Sequence, residues 1–223
     1  MTRTLLIMML AGGVALCSWT LPTQAQSDFY HFAEHTPGFK KVAEGSRAYE
    51  RGWYFDAYHD WLWAAWRADK TAQYNIGVMH YHGQHVERSL PRAWAWFRLS
   101  AERGYPMMIE TAEQVAGEMN EAQLELAQSF HLALLDEYGD DIAVPRTQRF
   151  MDRERRRMTG SRVGAVSGML RIVSPNGLTR DGQDFYDKRR WSMEHILQRE
   201  AELWSNLSRA RVELKDLEIP DDD

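Results

Sequence analysis

The chain is poor in the features that build several protein classes. It holds one cysteine, Cys17, among 223 residues, which excludes a disulfide scaffold and a cysteine metal cluster. Seven prolines and fifteen glycines are too few for a collagen-like or Pro-rich chain. Beyond the first residues there is no long apolar run and no sustained heptad pattern, so a polytopic membrane protein and an extended coiled coil are excluded. Catalytic signatures are also absent. Ser46, Ser161 and Ser167 lie outside any Gly-x-Ser-x-Gly elbow. Residues 159–164, Thr-Gly-Ser-Arg-Val-Gly, lack the Gly-Lys-Ser/Thr core of a phosphate loop. The sequence therefore reads as non-enzymatic, with no cofactor.

What is present is a foldable composition, 44% apolar, 26% charged and 12% aromatic. At the N-terminus, Arg3 precedes an apolar stretch from Leu5 to Leu16, and Thr23-Gln24-Ala25 offers small residues for cleavage before Gln26. This pattern predicts a signal peptide over 1–25 and a periplasmic or secreted mature protein. Two rival readings are an uncleaved anchor and a lipid on Cys17. After cleavage no stable membrane insertion is expected.

Charge is unevenly placed. Residues 26–145 hold 10 basic and 18 acidic side chains, 146–191 hold 12 and 5, and 192–223 hold 4 and 9. A basic block of this density either packs against the acidic regions beside it or grips an anionic polymer or lipid phosphates. The arginines that would do so are Arg155, Arg156, Arg157, Arg162, Arg189 and Arg190. Nucleic acid is not an expected partner.

An internal repeat is visible. A shift of 36 residues sets Ala93 on Ala57, Phe97 on Trp61, Ser100-Ala101 on Ala64-Ala65 and Gly104 on Ala68. Small residues recurring where helices approach, with large aromatics recurring between them, are the mark of stacked helical hairpins. Within residues 72–104, Ala72, Ile76-Gly77, Gly83, Val86, Ala93, Trp96, Ser100-Ala101 and Gly104 follow one another at fixed spacing. This segment resembles the Sel-one-like repeat, a branch of the tetratricopeptide superfamily. Departures are His80 at an aromatic position, His85 at a glycine and Ser89 at an acid. A looser unit precedes it, with helices predicted over 38–51 and 56–68.

The resulting expectation is a mainly α protein, a short stack of hairpins followed by a small α+β C-terminal appendage. Residues 26–138 would form the repeat domain, with 69–104 its best repeat. Residues 139–145 would be a linker, and 146–223 a basic helix plus the α+β region. Pro106–Ala116 reads as a helix ended by Gly117, and Asn120 with Gln123 as a capping box opening a helix to about Tyr138. Met169–Ser174 reads as a strand before a turn at Pro175-Asn176-Gly177, Trp191–Leu207 as a helix, and Val212 with Leu214 as a closing strand.

The resemblance implies a scaffold that binds a protein partner through the concave face of its hairpins. By repeat position Tyr49, Tyr74, Val78, Tyr81 and His82 would face that groove. His80, His82 and His85 offer imidazoles for a metal, but His80 and His82 lie on opposite sides of a regular helix, which leaves His82 and His85 as weak metal candidates. Of the tryptophans between 53 and 96, most are expected to wedge between helices, with Trp63 and Trp94 nearer the surface.

Overall fold

The computed structural model describes residues 37–159, 171–173, 179–182 and 187–215. The expected signal peptide, the Pro175-Asn176-Gly177 turn and Arg162 lie outside the described residues. Two antiparallel hairpins come first: α1 (Pro37–Glu50) with α2 (Tyr54–Ala65), then α3 (Lys70–His82) with α4 (Leu90–Ser100). A short 3-10 turn, Ala101–Arg103, leads to α5 (Pro106–Gly117) and α6 (Glu121–Tyr138).

Three of the helix starts are written in the sequence as side-chain caps. Asp69 caps α3 by accepting from the Ala72 amide at 2.9 Å, and Ser89 caps α4 ahead of Pro91. Asn120 and Gln123 form the reciprocal capping box of α6, at 2.9 and 3.1 Å. The 36-residue shift also holds in the backbone. Ala68 and Gly104, aligned by that shift, are both left-handed, with φ of 65° and 76°.

The core follows from the small residues. Ala57, Ala64, Ala65, Ala72, Ile76, Met79 and Leu99 are closed to solvent, with Trp61 and Trp96 wedged among them. A Cβ on Gly45 would stand 2.6 Å from the Trp61 indole nitrogen, and one on Gly77 2.8 Å from the Phe97 ring. Glycine at these two places lets an aromatic ring of the neighbouring helix lie against the backbone.

Beyond the second hairpin the stacking changes. α5 packs on α4, as the first helix of a third hairpin would. α6 does not pair with α5 in the same way; it runs back along α4, placing His131 against Trp94 and Tyr138 against Trp96. Leu124, Phe130, Leu134 and Leu135 of α6 are accordingly half-buried, and Ala127 is fully buried.

Two expectations are corrected. Residues 140–145 are not an irregular linker; they are the first turns of α7 (Asp140–Thr159), which continues through Pro145. Asp140 and Asp141 suit the positive end of that helix, and the Asp140 amide donates to Glu102 at 3.1 Å. Burial of Ala143, Thr147 and Met151 on one face carries the helix past the proline. Val212 and Leu214 are not in a strand but in α8 (Met193–Lys215). Alternation with charged residues is strand-like over so short a stretch, but no glycine or proline stands between Met193 and Lys215 to stop the helix before them.

Arg171–Val173 (β1) and Thr179–Asp181 (β2) pair antiparallel. After the 3-10 turn Lys188–Trp191, α8 docks on α7 through Met151, Trp191, Met193 and Ile196. Gln148 fixes this junction. Its side chain donates to the Trp191 carbonyl at 3.0 Å and accepts from the Met193 amide at 2.7 Å, capping α8.

Candidate functional site

The first helices of the successive units, α1, α3 and α5, end side by side. Near the end of α1, the Tyr49 hydroxyl donates to Gln84, just beyond α3, at 2.7 Å. Near the end of α3, the Tyr81 hydroxyl donates to Glu118, just beyond α5, at 2.9 and 3.1 Å. Two equivalent tyrosine links thus hold three helix ends in line. Arg88 braces the second link, donating to the Tyr81 carbonyl at 3.0 Å.

The five groove residues do not form a uniformly open stripe. Tyr49 is half-buried against Tyr54 and Trp61, with ring centroids 5.3 Å away in each case. Tyr74 packs on Phe97 with the rings tilted and 5.1 Å apart, and its hydroxyl lies 3.4 Å from that of Thr111. Val78 packs with Tyr74 and Tyr81 against Phe97, Ala112 and Val115. Tyr74 and Val78 therefore join α3 to the next unit. His82 is exposed and meets the Tyr81 ring edge-on at 5.1 Å. The accessible part of the face is the rim around Tyr81, His82, Gln84 and Glu118. Partial desolvation of the ring and then the Arg88 charge hold the His82 imidazole below its usual pKa.

The other histidines divide. His80 is buried, as its repeat position implies, and burial followed by the Arg92 charge pushes it down to about 4. His85 sits in the hairpin turn with φ of 64° and gathers Phe55, Tyr58 and His59 around it at ring distances of 5.1 to 6.1 Å. Among the described residues no group of three or more His, Cys, Asp or Glu side chains is placed to hold a metal ion.

Of the tryptophans, Trp61 and Trp96 are core, while Trp53, Trp63 and Trp66 are 55%, 37% and 36% exposed. Surface tryptophans are thus commoner than repeat position implied. Trp94, half-buried under His131, is not one of the open ones.

Of the six arginines read as an anion site, Arg162 lies outside the described residues, and two of the others are engaged in ion pairs. Arg157 pairs with Glu154 at 3.5 Å and Arg189 with Asp187 at 2.7 Å. A second basic group, in which Arg67 and Arg146 meet at Trp66, left no local pattern in the sequence. Nor did the charge network around Arg103. That guanidinium, nearly closed to solvent, bonds Asp140 at 2.7 Å, Glu200 at 2.8 Å and the Ala68 carbonyl at 2.7 Å. The fully buried Lys70 ammonium meets Glu102 at 2.6 Å and Asp140 at 3.0 Å. Burial works against the Arg103 charge, yet Glu200 and Asp140 hold its pKa above the ordinary value. Their partners lie 37 and 97 residues away, beyond any local pattern.

No described helix is long and apolar enough to cross a membrane. No curated protein matches the chain. One solved structure it resembles is the crystal structure of c5321, a protective antigen present in uropathogenic Escherichia coli strains displaying an SLR fold. The identity is 23% and the TM-score 0.44, over 54% of this chain and 27% of that one. The chain thus spans about a quarter of that protein's length. The family model of the Sel1 repeat matches residues 70–105, which are α3, α4 and the turn that follows. Residues 70–105 are thus the part of the chain that is similar to the Sel1 repeat.

Proposed function

We propose that the protein is an exported, non-enzymatic scaffold that binds a protein partner on the face formed by α1, α3 and α5. The observation carrying this reading is the aligned pair of tyrosine links, Tyr49 to Gln84 and Tyr81 to Glu118. They present a continuous rim across three helix ends, with Tyr81 and His82 at its centre. Aromatic side chains held on rigid helices lose little entropy on binding and serve as anchors. Tyr74 and Val78, among the five residues read from the sequence, act as supports that fix the spacing of α3 and α5. Export rests on the signal-peptide pattern at residues 1–25.

The test is position-resolved crosslinking in intact cells. A photoreactive residue at His82, on the rim, is compared with one at Leu132, which is 64% exposed on α6. The expected outcome is a discrete adduct from position 82 alone, reduced by excess unlabelled protein. Equal adducts from both positions, or none from position 82, would refute the proposed face.

A further inference from the structure

Where α2 ends, two guanidinium groups converge on one indole. Arg67 lies over Trp63 at 3.3 Å and within 5.2 Å of Trp66, and Arg146, from α7, lies over Trp66 at 3.7 Å. Phe150 sits one turn further along α7, 5.1 Å from the Arg67 guanidinium. Each arginine also satisfies helix-end carbonyls. Arg67 donates to Trp63 at 3.3 Å, and Arg146 donates to Trp66 and, at 2.9 Å, to Glu137. These bonds use one nitrogen of each guanidinium and leave the rest of each fork without an acceptor among the described residues. The Nε of both arginines is buried without a partner.

The charge balance is the unusual part. Among the described residues neither Arg67 nor Arg146 has a carboxylate within ion-pair distance, although Lys70 and Arg103 nearby each have two. Arg149 and Arg153 lie on the same side of α7 as Arg146, at spacings of three and seven. Arg149 acts on Arg146 through space as a like charge, and Glu137 as an opposite one. Burial, then the charge of Arg146, lowers the Arg67 pKa to about 10. In a protein of net charge −5, no carboxylate of the described residues reaches ion-pair distance of Arg67 or Arg146, and Glu137 acts on Arg146 from further away.

We propose that Arg67 and Arg146, with Arg149 and Arg153 along the same helix face, form a binding ridge for phosphate groups. A dianionic phosphate matches two guanidinium forks better than a single carboxylate does, because it supplies both the charge and several acceptor oxygens. The aromatic rings hold the forks extended and exclude water from one side of each, which strengthens the attraction. This ridge uses a repeat residue, Arg67, and is separate from the α1, α3 and α5 rim; it does not depend on the scaffold reading.

The experiment titrates the full chain with inorganic phosphate at constant ionic strength and follows the arginine Nε–H signals by NMR. The Arg67 and Arg146 signals are expected to shift together along one saturating curve. Arg51, stacked singly on Trp53 at 5.1 Å at the other end of α2, should not join them. Arg146→Gln should weaken binding at least tenfold, and Arg51→Gln should leave it unchanged. If Arg146→Gln fails to fold, Arg67→Gln carries the same expectation. Linear shifts shared by all arginines, or none at Arg67 and Arg146, would overturn the proposal. Tighter binding of hexaglutamate than of phosphate would overturn it in favour of an acidic peptide. Vesicles separate the sources of the phosphate. Capture by phosphatidylglycerol but not phosphatidylcholine, lost in Arg146→Gln, assigns a lipid headgroup; binding of free phosphate without vesicle capture assigns a soluble ligand.

Discussion

The junction between the two hairpins and the junction between the repeats and the C-terminal helices are built on opposite principles. The first is apolar and close. Ala57, Ala64, Ala65 and Ala72 let the helices approach, and Trp61 and Trp96 fill what remains. The second is ionic. Lys70 and Arg103 rise from the repeat to meet Asp140 at the start of α7 and Glu200 in α8, with Trp204 stacked on Tyr105 beside them. An apolar contact is tolerant of partner but sensitive to volume; a buried charge is the reverse, because an orphaned one is strongly unfavourable. The repeat therefore specifies its own stacking by shape, and the C-terminal helices are specified by charge.

This contrast makes Arg103→Ala the most damaging substitution. It leaves the partly buried Glu200 without its cation and Asp140 with Lys70 alone, and the docking of α7 and α8 should weaken by about 3 kcal/mol. In a thermal melt followed by far-UV circular dichroism, an early transition should separate from that of the hairpins. Next comes Gly77→Leu, which forces a side chain into the Phe97 ring. It should lower hairpin stability by roughly 1–3 kcal/mol in urea unfolding, without the early transition. The smallest effect belongs to Asn120→Ala, which removes the capping box of α6 and should lower stability by about 1 kcal/mol. A larger loss would mean that α6 holds the stack together rather than covering it.

How much was legible beforehand follows the same division. Ala57, Ala64, Ala93 and Ser100 recur with a fixed period, and contacts between neighbouring units obey that period, so the hairpins were readable. The Asn120–Gln123 box was readable because its two residues are three apart. Asp140 was not, because an aspartate next to glycine and before a proline has the chemistry of a turn; its helical role depends on Arg103 and Lys70, distant in sequence. The groove was half-legible. The spacing of Tyr74, Val78 and Tyr81 placed them on one face of α3, but only the neighbouring α5 decides that Tyr74 and Val78 are packed and His82 is open. Arg67 carried no signal at all, since its significance arises from meeting Arg146 at Trp66.

Amide hydrogen exchange on the full chain and on Arg103→Ala tests the division between a shape-locked stack and a charge-locked C-terminal region most directly. Native-state exchange resolves cooperative units by their opening free energies. The account predicts that Arg103→Ala strips protection from residues 193–200 of α8, while 76–80 in α3 and 95–100 in α4 keep that of the parent protein. Loss of protection in all three segments together, or in none, would contradict it.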